Sequence, residues 1–195
     1  MHQFCSSCII SYLNMSNKIE KLNKYFYLLI YRAFAQYLPS SAKSKLSKRI
    51  RYYCCKRIFR SCGTNVNIER KAYFGKGFDV CIGDNSGIGI NCSIPSDIVI
   101  GSNVLMGPDV FIFGEYTHQF ERTDIPIQKQ GRCKCRKVVI EDDVWIGRQA
   151  IINHGRIIKK GTIVAAASVV THDFPAYSII GGNPAQLIRS RYDKK

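Results

Sequence analysis

Three histidines, His118, His154 and His172, are the side chains of this 195-residue chain best suited to carry a proton at neutral pH. An unperturbed imidazole titrates near that value, whereas carboxylates and lysines do not. A base of that kind can activate a hydroxyl for attack on a carbonyl. His2 stands in an N-terminal stretch outside the patterned part of the chain. Nine cysteines occur at irregular spacings, and Cys5-Ser-Ser-Cys8 has half a zinc-site spacing with no second pair at a suitable distance. The cysteines read as free thiols of a reducing compartment, not as metal ligands or nucleophiles.

What must position the histidines is a six-residue repeat. An aliphatic residue returns at Ile82, Ile88, Ile94, Ile100, Met106 and Ile112, and again at Ile140, Ile146, Ile152, Ile158, Val164 and Val170. A small residue often follows (Gly83, Gly89, Gly101, Gly107, Gly147, Ala165). Upstream, Cys62, Ile68 and Phe74 fit after a two-residue slip. A helix needs a period of 3.6 and a simple strand a period of 2. Period 6 means short extended segments joined by corners, three to a triangular coil. Coils at 82–99, 100–117, 140–157 and 158–175, with 62–81 before them, make about five, stacked at ~4.8 Å. Asn85, Asn91, Asn103 and the glycines are expected to take left-handed corner conformations. The segment 113–137 interrupts the repeat, and long insertions in a regular solenoid are usually functional. It carries His118 and a late basic run, Lys129, Arg132, Lys134, Arg136 and Lys137, suited to an acidic or phosphate-linked ligand. His154 falls on a coil beside the base of this loop, so the residues alone leave the base open between His118 and His154.

The net charge of +15 is unevenly placed: residues 18–60 hold twelve basic side chains against one acidic, Glu20. An open prism end needs a cap. This segment supplies one as two helices, from about Lys18 to Tyr37, stopped by Pro39, and from about Lys43 to Arg60. Its charge suits peripheral contact with an anionic membrane surface. No recognised module points to nucleic acid. No apolar run reaches the ~20 residues of a membrane span, and the first 14 residues lack the Lys or Arg of a signal peptide. Met15, followed by Ser16-Asn17-Lys18, reads as an alternative start. The expected division is an unordered extension at 1–17, a basic helical cap at 18–61, the solenoid at 62–191 and a tail at 192–195.

The runs Asp142-Asp143-Val144-Trp145-Ile146-Gly147, Val169-Val170-Thr171-His172-Asp173-Phe174-Pro175 and Gly181-Gly182-Asn183-Pro184-Ala185, with Thr117-His118-Gln119-Phe120 in the loop, closely resemble the hexapeptide-repeat acyltransferases. The nearest branch is that of maltose and galactoside O-acetyltransferases and polysaccharide-biosynthesis acetyltransferases. The resemblance covers residues 62–191. It implies an all-β solenoid, a left-handed parallel β-helix with an N-terminal α-helical cap and an extruded loop. Period alone does not give that hand, and the usual crossover rule favours the other. It implies a homotrimer with acetyl-CoA between neighbouring prisms and no metal. The implied reaction is acetyl-CoA-dependent acetylation of a sugar hydroxyl, in cytoplasmic assembly of cell-surface polysaccharide, with residues 18–60 available to the inner membrane face. It places the general base at His118, to be oriented by Glu115, Glu121, Asp124 or a backbone carbonyl. Cofactor contacts are implied at Arg148, Ala165, Ala166, Ser168, Thr171, His172 and Arg189. Acceptor contacts are expected at Asn91, Asp109 and Trp145. His172 departs from the family's usual Lys, which weakens phosphate pairing there. The fold also hosts N-acylation of amino sugars, acetylation of xenobiotics and non-enzymatic scaffolds.

Overall fold

A computed structural model describes residues 6–114 and 116–193, with only the backbone described for 6–17. Short parallel strands stack on three faces of a triangular prism. The first face carries Ser61–Cys62, Cys81–Ile82, Val99–Ile100, Val139–Ile140 and Ile157–Ile158. The second carries Asn67–Ile68, Gly87–Ile88, Leu105–Met106, Trp145–Ile146, Ile163–Val164 and Ser178–Gly182. The third carries Phe111–Ile112, Ile151–Ile152 and Val169–Val170, extended by single bridges from Tyr73 to Ser93 and from Ser93 to Phe111. The register follows the repeat: Cys81 pairs with Val99, and Val139 with Ile157. The longer step from Ser61 to Cys81 contains the two-residue slip, and that from Val99 to Val139 contains the loop. The result is a left-handed parallel β-helix of about six turns. That is one more than the repeat count gives, because Ser178–Gly182 adds a strand to the second face before Ala185–Ser190 folds back antiparallel on it.

Why these residues make corners and faces is visible in two features. All twelve repeat aliphatics point inward and are buried, forming a continuous column. Asn85, Asn91 and Asn103 take left-handed φ of 56°, 56° and 59°, as expected. The glycines that follow the aliphatics do not; they are small for a different reason. A Cβ on Gly89 would stand 2.1 Å from the carbonyl oxygen of Gly107 in the next coil, and one on Gly147 would stand 2.5 Å from the nitrogen of Ala166. Close stacking, not a turn conformation, demands them. Burial pushes the thiols of Cys62 and Cys92 up to about 11, in keeping with small apolar roles.

The cap differs in extent from its expectation. Helix α1 spans Ser6–Ala33, a 3-10 turn follows at Ala35–Tyr37, and α2 spans Lys45–Ile58. α1 therefore takes in residues 6–17 of the expected unordered extension; that stretch holds no Gly or Pro to stop a helix. Residues 1–5 lie outside the described residues. Ser44 caps α2, its hydroxyl accepting from the Ser47 N–H at 3.2 Å. The prism end is plugged by Arg51, which is fully buried. Its Nε donates to the Ile68 carbonyl at 2.6 Å, Nη1 to that of Pro39 at 2.9 Å and Nη2 to the Ser41 hydroxyl at 3.0 Å, with Glu69 at 3.7 Å. Beside it the Tyr31 hydroxyl donates to the Ala72 carbonyl at 2.7 Å.

Candidate active site

The corners of successive coils stack into three edges, and the expected site residues separate onto two of them and one face. The edge between the second and third faces holds Asn91, Asp109, Arg148, Ala165 and Ala166. Asn91 Nδ2 donates to Asp109 Oδ1 at 3.0 Å. Arg148 grips the other carboxylate oxygen of Asp109 through Nε at 3.2 Å and Nη2 at 3.1 Å. A two-nitrogen grip of this kind fixes direction as well as distance. Arg148 was expected on the cofactor, Asp109 and Asn91 on the acceptor; they form one ladder. Ala166 is exposed, so backbone is approachable there. Ser168, expected as a cofactor contact, is fully buried, and its hydroxyl donates to the Ala165 carbonyl at 2.8 Å.

The edge beyond the third face holds His154, Thr171 and His172, together with the root of the loop. The loop is a hairpin, Tyr116–His118 against Arg132–Lys134, with His118 opposite Arg132 and a 3-10 turn at Ile127–Lys129. A cavity of about 550 Å³ opens beside it, lined by His118, Gln119, Glu121, Arg122, Ile125 and Gln130 among others. The His118 ring is exposed, and no side chain among the described residues hydrogen-bonds it. Of the expected orienting groups, Asp124 is salt-bridged to Arg122 instead, and Glu115 lies outside the described residues. His172 is held sideways: its Nδ1 meets the Thr171 hydroxyl at 3.2 Å and its ring lies 4.4 Å from that of Phe174. The backbone carbonyl of His154 accepts from Arg156 Nε at 3.3 Å.

Trp145 stands outward on the second face, lining a cavity of about 420 Å³ with Asn103, Leu105, Asp143, Ile163 and Arg191. Arg191 closes one side, donating to Asp143 at 2.9 Å and to the Gly161 carbonyl at 2.8 Å. Arg189, expected near the nucleotide phosphates, donates to the carbonyls of Ser190 and Asp193, both at 3.0 Å. Among the described residues no three His, Cys, Asp or Glu side chains gather as a metal site would require. Two features escape a reading of types alone. The Asn91–Asp109–Arg148 ladder was signalled by the coil-length spacing of Asn91 and Asp109. The Arg191–Asp143 pair had no such signal.

Within one chain, then, His118 and the Arg148 ladder lie at opposite ends of the third face. No family model matches the chain. A galactoside O-acetyltransferase of Escherichia coli K12 is 32% identical over 143 residues, spanning 71% of this chain and 68% of that protein. A chloramphenicol acetyltransferase of Agrobacterium fabrum is 33% identical over 136 residues, 62% of this chain and 63% of that protein. A crystal structure of a hexapeptide-repeat-containing acetyltransferase from Vibrio cholerae, complexed with acetyl-CoA, matches with a TM-score of 0.70 at 28% identity. It covers 90% of this chain and 89% of that one. The chain belongs to the hexapeptide-repeat acyltransferases. It is, more particularly, an acetyltransferase of that family that draws on acetyl-CoA.

Proposed function

We propose that this enzyme moves the acetyl group of acetyl-CoA onto a sugar hydroxyl, with His118 as general base, in a homotrimer whose sites lie between neighbouring prisms. The observation that carries the reading is the exposed, unpaired His118 imidazole on a hairpin that projects from one prism edge beside a cavity lined by both polar and apolar side chains. His118 takes the proton of the acceptor hydroxyl as its oxygen attacks the thioester carbonyl carbon. Backbone N–H groups of the cleft hold the oxyanion. The C–S bond then breaks, and the CoA sulfur leaves with the proton that His118 returns. The Ala165–Ala166 corner offers backbone to the pantetheine arm, and Arg148 stands beside it. The galactoside-acetylating relative supports a sugar acceptor, and the basic loop supports one carried on a phosphate-bearing unit of polysaccharide assembly at the cytoplasmic side. The chloramphenicol-acetylating relative supports a second reading, a xenobiotic hydroxyl; an amino sugar acceptor is the third.

The test is CoA-thiol release from acetyl-CoA with panels of sugars, amino sugars and chloramphenicol, for wild type, His118→Ala and His154→Ala. We expect sugar-dependent release to fall by ~10²-fold or more in His118→Ala with acetyl-CoA binding intact. Equal rates in wild type and His118→Ala, with a loss in His154→Ala, would reassign the base. Release with chloramphenicol alone would replace the sugar.

A further inference from the structure

Helix α1 has two apolar sides, and only one is used. Leu28 and Tyr31 are buried, with Tyr27 partly buried beside them, against the cap and the prism end. Almost opposite on the helical wheel, at the 3–4–3 spacing of a single stripe, stand Ile19, Leu22, Phe26 and Leu29, which are 61%, 71%, 57% and 66% exposed. The stripe runs about 15 Å along the helix. Large exposed apolar groups in so regular a line mark a contact surface. The charge around them says what kind. Lys18 and Lys21 flank one side of the stripe; Arg32, on the same side, donates to the Gly75 carbonyl at 2.8 Å, and α2 carries exposed Lys45 and Arg49, with Lys56 over the Tyr52 ring and Arg57 over the rings of Tyr27 and Tyr53. Glu20 is the only acidic residue from 18 to 60, and Lys24 already holds it at 3.3 Å.

A second copy of the helix laid on this stripe would bring two such basic sets together with no free carboxylate between them. A surface that is apolar just below and anionic above meets both demands. No helix of the described residues is long and apolar enough to cross a membrane, so the geometry required is one that lies along the interface. We propose that α1 docks the cap of this enzyme on an anionic lipid bilayer, with Ile19, Leu22, Phe26 and Leu29 entering the headgroup boundary and the cap's lysines and arginines meeting the lipid phosphates and carboxylates. This surface is separate from the histidine-bearing edge, so it stands or falls independently of the acceptor reading.

The experiment is flotation of the full-length protein with vesicles of phosphatidylcholine plus phosphatidylserine, and with phosphatidylcholine alone, at low and high salt. Two variants accompany it, Leu22→Glu with Phe26→Glu, and Lys18→Glu with Lys21→Glu. Sedimentation and a thermal melt are measured for each. We expect flotation with the anionic vesicles only, weakened by salt within a short screening length. Each removed positive charge should lower partitioning about 5-fold. The stripe variant should lose flotation while its melting temperature stays unchanged. Absence of flotation with anionic vesicles in the wild type at low salt overturns the proposal. So does equal flotation of the stripe variant. A wild type that does not float, together with a stripe variant that sediments as a smaller assembly, would assign the stripe to contact between copies.

Discussion

The two edges at either end of the third face solve opposite problems. The Asn91–Asp109–Arg148 edge is fixed by packing: Gly89, Gly107 and Gly147 leave no room between coils, and the side chains that remain bind one another. The His154–His172 edge is where the repeat opens, and there the chain spends residues on a projecting hairpin whose histidine is bonded to no described side chain. A cofactor with a long arm is best met by a surface that does not rearrange, since pre-set contacts spare the ordering cost of binding. A proton acceptor must keep one ring nitrogen open to the substrate's proton. In the proposed reading, one face of the prism keeps the two requirements apart and the proposed trimer reunites them.

The sharpest way to break this comparison uses two variants that each disable one edge. Ala166→Trp should block the tight edge and His118→Ala the open one, each leaving little acetyl transfer. Co-expressed and purified as mixed oligomers, the pair should regain readily measured activity, because some interfaces combine an intact edge from each chain. No recovery in verified mixed oligomers would mean that both edges of one site come from the same chain.

The next largest effect separates the edges by stability. Gly147→Val drives a side chain into the Ala166 backbone nitrogen and should cost roughly 3 kcal/mol or more, read as a lowered midpoint in urea. His154→Val, on the open edge, should shift the midpoint by less than ~1 kcal/mol. Similar shifts for both would remove the distinction.

A third prediction concerns pH. Cys92 is buried under the tight edge, its sulfur 3.1 Å from the Gly107 carbonyl, and burial pushes its thiol up to about 11, well above that of a free cysteine. The folded state thus keeps a proton that the unfolded chain has begun to lose. The associated stability is complete below pH ~9 and disappears as pH rises through the folded value of about 11. The loss should be on the order of 2 kcal/mol and should flatten in Cys92→Ala, measured by denaturant melts from pH 8 to 11. The smallest effect is that of Arg148→Ala. Arg148 is exposed, so losing its pair with Asp109 should change stability by less than ~1 kcal/mol. Its KM for acetyl-CoA should rise about 10-fold with kcat little changed, if the ladder serves binding.

Much of this was written in the sequence, and the boundary of legibility has a physical cause. Period 6 is a strong local signal, so the inward column from Ile82 to Val170 and the corner asparagines could be placed without coordinates. The role of the repeat glycines was misread because contact between coils pairs residues one coil apart, which a local rule for turns does not see. The inward hydroxyl of Ser168 was hidden for a related reason: a small residue in a corner looks alike whether its hydroxyl faces out or closes on the preceding carbonyl. α1 begins earlier than expected because nothing from Ser6 to Asn17 stops a helix, whereas the charge pattern starts only at Lys18. Arg51 was illegible altogether. One arginine among twelve basic residues differs from the others only in what lies above it.

That arginine has a consequence for the molecule as a polymer. A coil stacked on a coil is an addition reaction that can repeat, since each new layer presents the same unpaired groups as the last. At the N-terminal end Arg51 acts as a chain terminator. Its guanidinium occupies the carbonyls of Pro39 and Ile68 and fastens the cap down over the first layer. Replacing it with a smaller side chain would leave one reactive end, and because Ser178–Gly182 and the returning Ala185–Ser190 close the other, molecules would be expected to join in pairs, growth stopping at two.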